Sequence, residues 1–296
     1  MSLPEITVIV PTFNDAENLL LCLEALQNQT LPDEKYEVIV IDNGSDEVNL
    51  KILRNNGISF LTENHLKGSY AARNKGIRAA RGKILAFTDS DCKPAADWLE
   101  RSVEKLLAIK DKALVGGRIE LFFKNPDKPT AVELYESLFA FNQKHYVENL
   151  HFSATANMVT FRNLFDEIGL FDDRLFSSGD YEWGRKLFSK GYQLLYVDNA
   201  VVYHPARYSF IQLRNKIKRI AGGRYGLSLK HGRGRYWIDA MRRLMPPVRR
   251  SVKILFFEQR LSGLSARFRV VCVLFFVRYV QAYEKLKLAL GADSVR

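Results

Sequence analysis

Cysteine is scarce in this sequence of 296 residues, which contains only Cys22, Cys92 and Cys272. Their number is odd, and no two of them have the Cys-x-x-Cys spacing. Disulfide frameworks use even numbers of cysteines, and structural zinc sites use closely spaced pairs, so neither is expected here. This usage is typical of a protein in a reducing compartment.

Long hydrophobic runs are also absent. A membrane-spanning helix needs about 20 consecutive apolar residues, whereas the best candidate, residues 270–277, is short and is flanked by Arg269 and Arg278. The first residues lack the basic and apolar regions of a secretory signal peptide. These absences predict a cytoplasmic protein.

Acidic residues are scarce in the last third of the chain. The net charge of the whole sequence is +11. Residues 205–296 contain 21 Lys and Arg but only 4 Asp and Glu, which gives this segment +17 and residues 1–204 a net charge of −6. Such asymmetry favours an anionic partner for the basic segment. The alternative is that these charges form the solvated face of a set of helices.

Four short apolar runs, alternating with helical patterns, predict an α/β fold with a mostly parallel sheet. The runs are residues 6–10, 37–41, 58–61 and 84–88. In such sheets, ligands bind beyond the carboxyl ends of the strands. Residues 11–14, 42–45 and 89–91 are polar loops at those ends. They are therefore expected to converge on one crevice.

The second half of the chain gives less regular patterns. We expect one helix at residues 130–145 and a strand at 155–161, and Pro246-Pro247 excludes a continuous helix there. Residues 265–288 read as a basic amphipathic helix, and such helices can lie in a membrane interface. The alternative is that its apolar face packs on the domain or on a second subunit.

Several polar residues are candidates for chemistry. Asp89 and Asp91 directly follow the fourth apolar run, where two carboxylates can hold a divalent cation against phosphate oxygens; the alternative is capping of the next helix. Asp42 would bind a nucleobase or ribose, or simply close an Asx turn before Gly44. Arg73 would contact the base or the phosphates, or be a solvated helix charge.

Two further candidates lie late in the chain. Asp180 begins a helical pattern together with Glu182, so it would act either as a general base or as a charge that favours the helix dipole. His204 would be a metal ligand or a phosphate contact, although a lone histidine is more often structural. The spacing alone leaves both pairs of alternatives open.

Six motifs in order resemble those of the family 2 glycosyltransferases, which have the GT-A fold. The resemblance covers residues 5–205. The matching segments are residues 8–14, which resemble the opening strand and turn, 40–45 ("VDDGS"), 72–76 ("ARN.G"), 87–91 (DxD), 156–172 ("NMA.R…GGFDE") and 179–183 ("GEDxE").

The resemblance implies a Rossmann-like GT-A domain at residues 1–205. The region that follows, residues 206–296, is predicted to be basic and mainly helical from its own charge and apolar pattern. It also implies an inverting transfer from a nucleotide sugar, UDP-linked by preference, with Mn²⁺ or Mg²⁺ as the cofactor. Asp180 is implied to be the base. The other implied site residues are Pro11, Thr12, Asn14, Asp42, Arg73 and Asp89 for the nucleotide, Asp91 with Asp89 for the metal, and Asn157, Glu182 and Trp183 for the acceptor.

The sequence departs from the family motifs at two positions. Asn43 replaces the second acid of "VDDGS", which puts in doubt any role that needs a charge there. Gly179 replaces the glutamate before the base, so one acceptor contact of the family is expected to be missing.

The expected partners are the donor, a saccharide or lipid-linked acceptor, an anionic membrane surface at the cytoplasmic face, and a second subunit in a homodimer; nucleic acid is not expected. The family's role implies synthesis of cell-surface polysaccharide or glycolipid. Two alternatives remain. A sugar nucleotidyltransferase would carry a Gly-rich basic loop after the first strand, which residues 11–15 do not provide. A polyanion-binding protein would use the basic tail but leaves the acidic loops unexplained.

Overall fold

A mixed β-sheet is the central feature of the fold. The computed structural model describes residues 4–109, 113–229 and 234–292. Within them the sheet has eight strands in the order β3-β2-β1-β4-β7-β6-β8-β5. The strands are β1 (Ile6–Thr12), β2 (Tyr36–Asp42), β3 (Phe60–Thr62), β4 (Ile84–Phe87), β5 (Lys93–Pro94), β6 (Ala113–Phe122), β7 (Met158–Phe161) and β8 (Gln193–Pro205).

Only one half of the sheet is parallel. β1 pairs in parallel with β2 and β4, and β2 with β3. The pairs β4–β7, β6–β7 and β5–β8 are antiparallel. The predicted α/β class is therefore confirmed, with a sheet that is mixed rather than mostly parallel. An apolar run indicates that a strand is buried but does not indicate its direction, so the sequence could not distinguish the two halves.

The parallel half places the predicted loops at one edge. β1 is buried along its whole length, as is β4. Thr12, the last residue of β1, is paired with Asp42, the last residue of β2. β4 ends at Phe87, two residues before Asp89. Because these strands run in the same direction, their polar ends lie at the same edge of the sheet.

Twelve α-helices complete the described fold. They are α1 (Ala16–Gln27), α2 (Glu47–Asn55), α3 (Ser69–Ala79), α4 (Trp98–Leu107), α5 (Ala131–Phe139), α6 (Gln143–Leu150), α7 (Asn163–Ile168), α8 (Gly179–Ser189), α9 (Phe210–Leu229), α10 (Gly234–Arg242), α11 (Val248–Phe257) and α12 (Gly263–Ala289). Among the described helices, none combines the length and apolar character that a bilayer span requires.

Two predicted elements differ from those observed. The single helix expected at residues 130–145 is wrong, because α5 and α6 are separated where Phe141 adopts a φ of 49°, outside the right-handed helical region. Thr130 caps α5 with a complete capping box. The strand expected at residues 155–161 begins only at Met158, because Thr155–Asn157 form a short 3-10 helix.

The chain forms two compact units. The sheet unit comprises Met1–Glu120, Phe141–Arg174 and Gly179–His204, and the helical unit comprises Leu121–Ala140, Leu175–Ser178 and Pro205–Arg296. Each unit draws on separated segments, whereas the predicted domains, residues 1–205 and 206–296, are continuous. The division at residue 205 stays a prediction.

The core of the helical unit is built around α12. Val270, Val273 and Leu274 are almost completely buried and share a cluster with apolar side chains of α5, α9 and α11. The apolar face of the predicted helix at 265–288 therefore packs within its own unit. This is the alternative to membrane contact that the sequence analysis gave for this helix.

A buried ion network also lies in the helical unit. The carboxylate of Glu136, which is 1% exposed, accepts hydrogen bonds from Lys216 Nζ at 2.7 Å and from Arg207 Nη1 at 3.0 Å. Burial by itself would raise the pKa of Glu136, but Lys216 and Arg207 together hold that pKa below its ordinary value. The network thus offsets the cost of burying a carboxylate with two cations.

Candidate active site

The loops after β1 and β2 are tied to each other. Asn14 adopts a φ of 50°, its backbone N–H donates to Ser45 Oγ at 2.8 Å, and its side-chain oxygen accepts from the N–H of Asp46. Pro11 and Thr12, which precede this loop, are buried. Because hydrogen bonds already hold the two loops together, the loops would lose little conformational entropy when a planar ligand binds between them.

Asp42 closes a turn at the end of β2. It is 1% exposed and accepts hydrogen bonds from the N–H groups of Gly44 and Ser45 at 3.0 to 3.3 Å. The Asx turn weighed in the sequence analysis is thus present. Next to it, the buried hydroxyl of Thr12 has no hydrogen-bond partner among the described residues. Buried polar atoms are rarely left so, which makes the Thr12 hydroxyl a candidate contact for a ligand.

Asn43, the departure from "VDDGS", has a role that an acid could not fill. Its amide nitrogen donates to the carbonyls of Glu63 and Leu66 at 2.9 and 2.8 Å, and its oxygen accepts from the N–H of Gly68 at 2.6 Å. A carboxylate can only accept hydrogen bonds. Asn43 therefore orders the segment that leads from β3 into α3.

We expect Asn43→Asp to lower the free energy of unfolding by about 2 kcal/mol, because the carbonyls of Glu63 and Leu66 would face a carboxylate instead of a donor. Thermal unfolding measured across pH checks this result. The loss should shrink at acid pH, where the new carboxyl becomes a donor by protonation. Asn199→Asp, at an exposed strand position, is the matched control; an equal loss in both variants would contradict the assignment.

The acidic loop after β4 meets the end of β8. β5 pairs with β8 through Lys93↔Tyr203, and this pairing brings His204 beside the loop. His204 Nε2 lies 3.6 Å from Asp91 Oδ1. One ligand atom from each of Asp89, Asp91, Cys92 and His204 lies within 4.8 Å of the others. The fold thus brings Asp89 and Asp91 together with His204, for which a metal ligand was one of the expected roles.

This donor set fits a hard divalent cation. Carboxylate oxygens are the ligands that suit Mn²⁺ and Mg²⁺, whereas thiolates suit softer metals. Cys92, which the sequence analysis did not assign, is fully buried, and burial together with the neighbouring carboxylates raises its pKa well above the ordinary value. A neutral thiol is a poor ligand. One oxygen of Asp89 accepts a hydrogen bond from Arg73, so Asp91 and His204 are the better placed ligands.

Helix α3 links the acidic loop to the candidate base. Tyr70 and Arg73 are three residues apart and share one face of the helix. The guanidinium of Arg73 is ion-paired with Asp89 and lies 5.5 Å from the centre of the Tyr70 ring. Arg73 is 3% exposed, and its Nε has no partner among the described residues. Arg73 is therefore not the solvated helix charge considered as the alternative.

Asp180 is held at the start of α8. Its Oδ1 accepts a hydrogen bond from the hydroxyl of Tyr70 at 2.9 Å and another from the N–H of Tyr181 at 2.9 Å. Burial raises the pKa of Asp180 above its ordinary value, although Tyr70 and Arg73 act in the opposite direction. A carboxylate with a raised pKa and a fixed orientation is suited to accepting a proton.

Gly179 allows this arrangement. A Cβ atom added at Gly179 would lie 2.8 Å from Cε2 of Tyr70 and 2.9 Å from two other atoms of the ring. Real Cβ atoms are not found so close to a ring that is itself enclosed. The glycine in place of the family's glutamate is thus required for Tyr70 to reach Asp180.

The three predicted acceptor residues are not brought together on one surface. Trp183 is fully buried, stacks on Phe165 and donates to the carbonyl of Gly169 at 2.8 Å. The side chain of Asn157 is also fully buried and is bonded to Trp98, Arg118 and Ala200. Glu182 is half-buried and ion-paired with Lys186 at 2.7 Å.

Aromatic rings next to Asp180 were missed by the sequence analysis. Tyr181 is 38% exposed, its ring meets that of Phe152 edge-on at 5.3 Å, and Phe152 stacks on Tyr146 at 4.9 Å. Flat aromatic surfaces offer apolar contact area at low entropic cost. Tyr181 follows Asp180 directly in the sequence, which is the signal that could have identified it.

Comparison with known proteins gives consistent matches. Residues 7–169 match the sequence profile described as glycosyl transferase family 2. The chain is 37% identical over 227 residues to the glycosyltransferase AglE of Haloferax volcanii, which covers 75% of this chain and 73% of that protein. It is 27% identical over 243 residues to a Methanococcus voltae enzyme named dolichyl N-acetyl-alpha-D-glucosaminyl phosphate 3-beta-D-2,3-diacetamido-2,3-dideoxy-beta-D-glucuronosyltransferase, covering 77% and 74%.

A solved structure with a similar fold is that of the mannosyltransferase PcManGT from Pyrobaculum calidifontis in complex with GDP-Man and Mn²⁺. The TM-score is 0.58 at 19% identity, covering all of this chain and 77% of that chain. The likeness confirms the predicted GT-A fold.

Proposed function

Because the chain belongs to glycosyltransferase family 2, we propose that it transfers a sugar, with inversion, from a nucleoside-diphosphate sugar to an acceptor hydroxyl. The observation that carries this proposal is the continuous set of contacts Asp91–His204, Asp89–Arg73 and Tyr70–Asp180. The last two of these contacts lie between the proposed cation-binding group and the proposed general base, and they share one face of α3. Neither a nucleotidyltransferase nor a polyanion-binding protein accounts for a base held in this way.

In the proposed reaction, Asp180 takes the proton of the acceptor hydroxyl as that oxygen attacks the anomeric carbon of the donor. The bond from this carbon to the nucleoside diphosphate breaks on the opposite side. Arg73 lies against Asp89 and favours negative charge at the departing diphosphate. A bound divalent cation, held by Asp91 and His204 with Asp89 nearby, would neutralise that charge.

The donor is proposed to be a UDP-sugar bound by Asp42 and Thr12, with Pro11 and Asn14 shaping the loop. A GDP-sugar is the alternative, because a protein of similar fold was solved with GDP-Man and Mn²⁺. Mn²⁺ or Mg²⁺ is the proposed cation. The buried Thr12 hydroxyl next to Asp42 supports this position for the base.

The acceptor is proposed to be a saccharide on a lipid carrier at the cytoplasmic face of the membrane, in polysaccharide or glycolipid synthesis. The name of the relative from Methanococcus voltae describes transfer to a dolichyl-phosphate-linked sugar, which supports a lipid-linked acceptor here. Tyr181 and Phe152 are proposed to contact its sugar ring, together with Glu182. Trp183 and Asn157 would then act by supporting this region from the core.

Thermal unfolding with a panel of nucleoside diphosphates, each with and without Mn²⁺, tests the donor site. A ligand at 100 times its dissociation constant stabilises the native state by about 2.7 kcal/mol, so we expect one diphosphate with Mn²⁺ to raise the melting temperature by about 5 °C. Asp91→Ala should abolish this shift.

Asp127→Ala, which removes an exposed acid, is the matched control and should keep the shift. If no diphosphate stabilises the protein, or if Asp91→Ala responds as the wild type does, the proposed donor site is wrong.

A further inference from the structure

Helices α10 and α11 and the segment between them carry many exposed apolar side chains. The large apolar side chains of this segment that are at least 36% exposed are Trp237, Ile238, Met241, Leu244, Met245, Val248, Val252, Phe256 and Phe257. Scattered exposed apolar residues are ordinary on a soluble protein. Nine within 21 consecutive residues form a concentrated patch, which marks a contact surface.

Helix α11 exposes a row of apolar side chains on its solvent side. Val248, Val252 and Phe256 recur every four residues and therefore line one side of the helix; they are 59%, 44% and 67% exposed. On the inner side, Ser251 and Ile254 are buried. The helix is thus already anchored in the helical unit, and its second apolar stripe is not needed for that anchoring.

Basic side chains border this stripe. Arg242, Arg249 and Lys253 are exposed, and none of the three forms an ion pair with a carboxylate of the described residues. Arg250 lies over the ring of Phe139 at 5.2 Å. We call the exposed apolar residues 237–257 together with Arg242, Arg249 and Lys253 the basic-apolar face.

The positive charge and the apolar side chains of this face together indicate which kind of partner binds it. A second copy of the chain in a two-fold dimer would bring the same face, and hence the same cations, into contact with itself, and like charges across an interface are unfavourable. Nucleic acid is bound through phosphate contacts and aromatic stacking, which leaves the exposed Ile, Leu, Met and Val side chains without partners. An anionic bilayer satisfies both components, because lipid headgroups pair with the cations and acyl chains cover the apolar stripe.

We infer that the basic-apolar face is a membrane-binding surface, on which α10 and α11 lie in the headgroup region of an anionic bilayer. The surface differs from the helix expected at residues 265–288, since Val270, Val273 and Leu274 of α12 pack in the core of the helical unit. The inference goes beyond the proposed transfer reaction, and none of its residues belongs to the donor site.

Flotation of the full chain with phosphatidylcholine vesicles, with and without phosphatidylglycerol, tests the inference. We expect strong binding only when the anionic lipid is present. Val252→Glu and Phe256→Glu should each reduce the partition coefficient at least about tenfold, because a buried apolar contact is replaced by a charge. Lys253→Gln should reduce it about fivefold at low salt, with a smaller effect at high salt.

Matched controls are available on α2. Val48 is 71% exposed and Lys51 is exposed, so Val48→Glu and Lys51→Gln make the same chemical changes at residues that are not part of the basic-apolar face and should bind as the wild type does. Unaltered melting temperatures and an unaltered nucleotide response would show that the variants are folded.

Three results would overturn the inference. The wild type could fail to bind anionic vesicles; Val252→Glu could bind as tightly as Val48→Glu; or the wild type could be a dimer that Val252→Glu dissociates without loss of vesicle binding. The last result would assign the face to a second copy. None of these outcomes depends on the donor site, whose failure is detected by the thermal-shift panel.

Discussion

Replacing Asp180 with asparagine is expected to reduce the turnover of sugar transfer by at least about 100-fold, because general-base catalysis contributes about 10² to 10⁴ in rate. Asparagine keeps the size of the side chain and an oxygen that can accept from Tyr70, but it cannot take a proton. Nucleotide binding with Mn²⁺ should be unchanged. Single-turnover transfer, with the donor chosen by the thermal-shift panel and a lipid-linked saccharide as acceptor, measures the effect.

The pH profile gives the same prediction a second test. Burial raises the pKa of Asp180, and a general base acts only when it is deprotonated, so wild-type activity should fall as the pH decreases through this raised pKa. The residual activity of Asp180→Asn should lack this acidic limb. Asp198→Asn, at an exposed position, is the control and should keep both the rate and the limb. An Asp180→Asn variant with near-normal turnover would exclude the base assignment.

Glu136→Ala should produce the largest loss of stability. Removing one partner of a buried ion pair costs about 3 to 5 kcal/mol, and here the carboxylate is 1% exposed and serves both Lys216 and Arg207. Without it the two cations face each other with no neutralising charge between them. We expect the melting temperature to fall by about 6 °C or more, as measured by differential scanning calorimetry.

The loss should also depend on pH in a defined direction. The pKa of Glu136 is lower in the folded protein than its ordinary value. The contribution of Glu136 to the free energy of unfolding is therefore complete above the ordinary pKa, and it is lost as the pH falls through the pKa of the folded protein. The two proteins should therefore converge at acid pH. Glu104→Ala removes an exposed helical acid and should change stability by less than about 0.5 kcal/mol. Equal losses in the two variants would mean that the network contributes nothing.

The parallel half of the sheet could be predicted from the sequence because its signals are local. Each short apolar run ends at polar residues, and parallel strands place their carboxyl ends at the same edge of the sheet. Thr12, Asp42 and Asp89 could therefore be predicted to lie close together. A helix beginning at Asp180 was predicted from a pattern that starts with acidic residues, and α8 begins one residue earlier, at Gly179. These features depend only on neighbours along the chain.

Contacts between distant segments could not be predicted in this way. The bond between Tyr70 and Asp180 spans 110 residues, and the pairing that brings His204 to Asp91 depends on a two-residue strand, β5. Trp183 was interpreted as an acceptor contact because of its motif, but only the packing of Phe165 reveals its place in the core. The burial of α12 likewise depends on α5 and α9, which its own periodicity does not specify.

Because Gly179 closely approaches the Tyr70 ring, substitutions at these two positions, which are distant in the sequence, depend on each other. A methyl group at 179 has no room while 70 is aromatic, and a small residue at 70 would leave the carboxylate of Asp180 without its hydroxyl donor. Engineering that restores a glutamate at 179, in order to recruit a new acceptor, must therefore begin by shrinking residue 70. It must then supply another hydrogen-bond donor to Asp180 from elsewhere in the sheet unit.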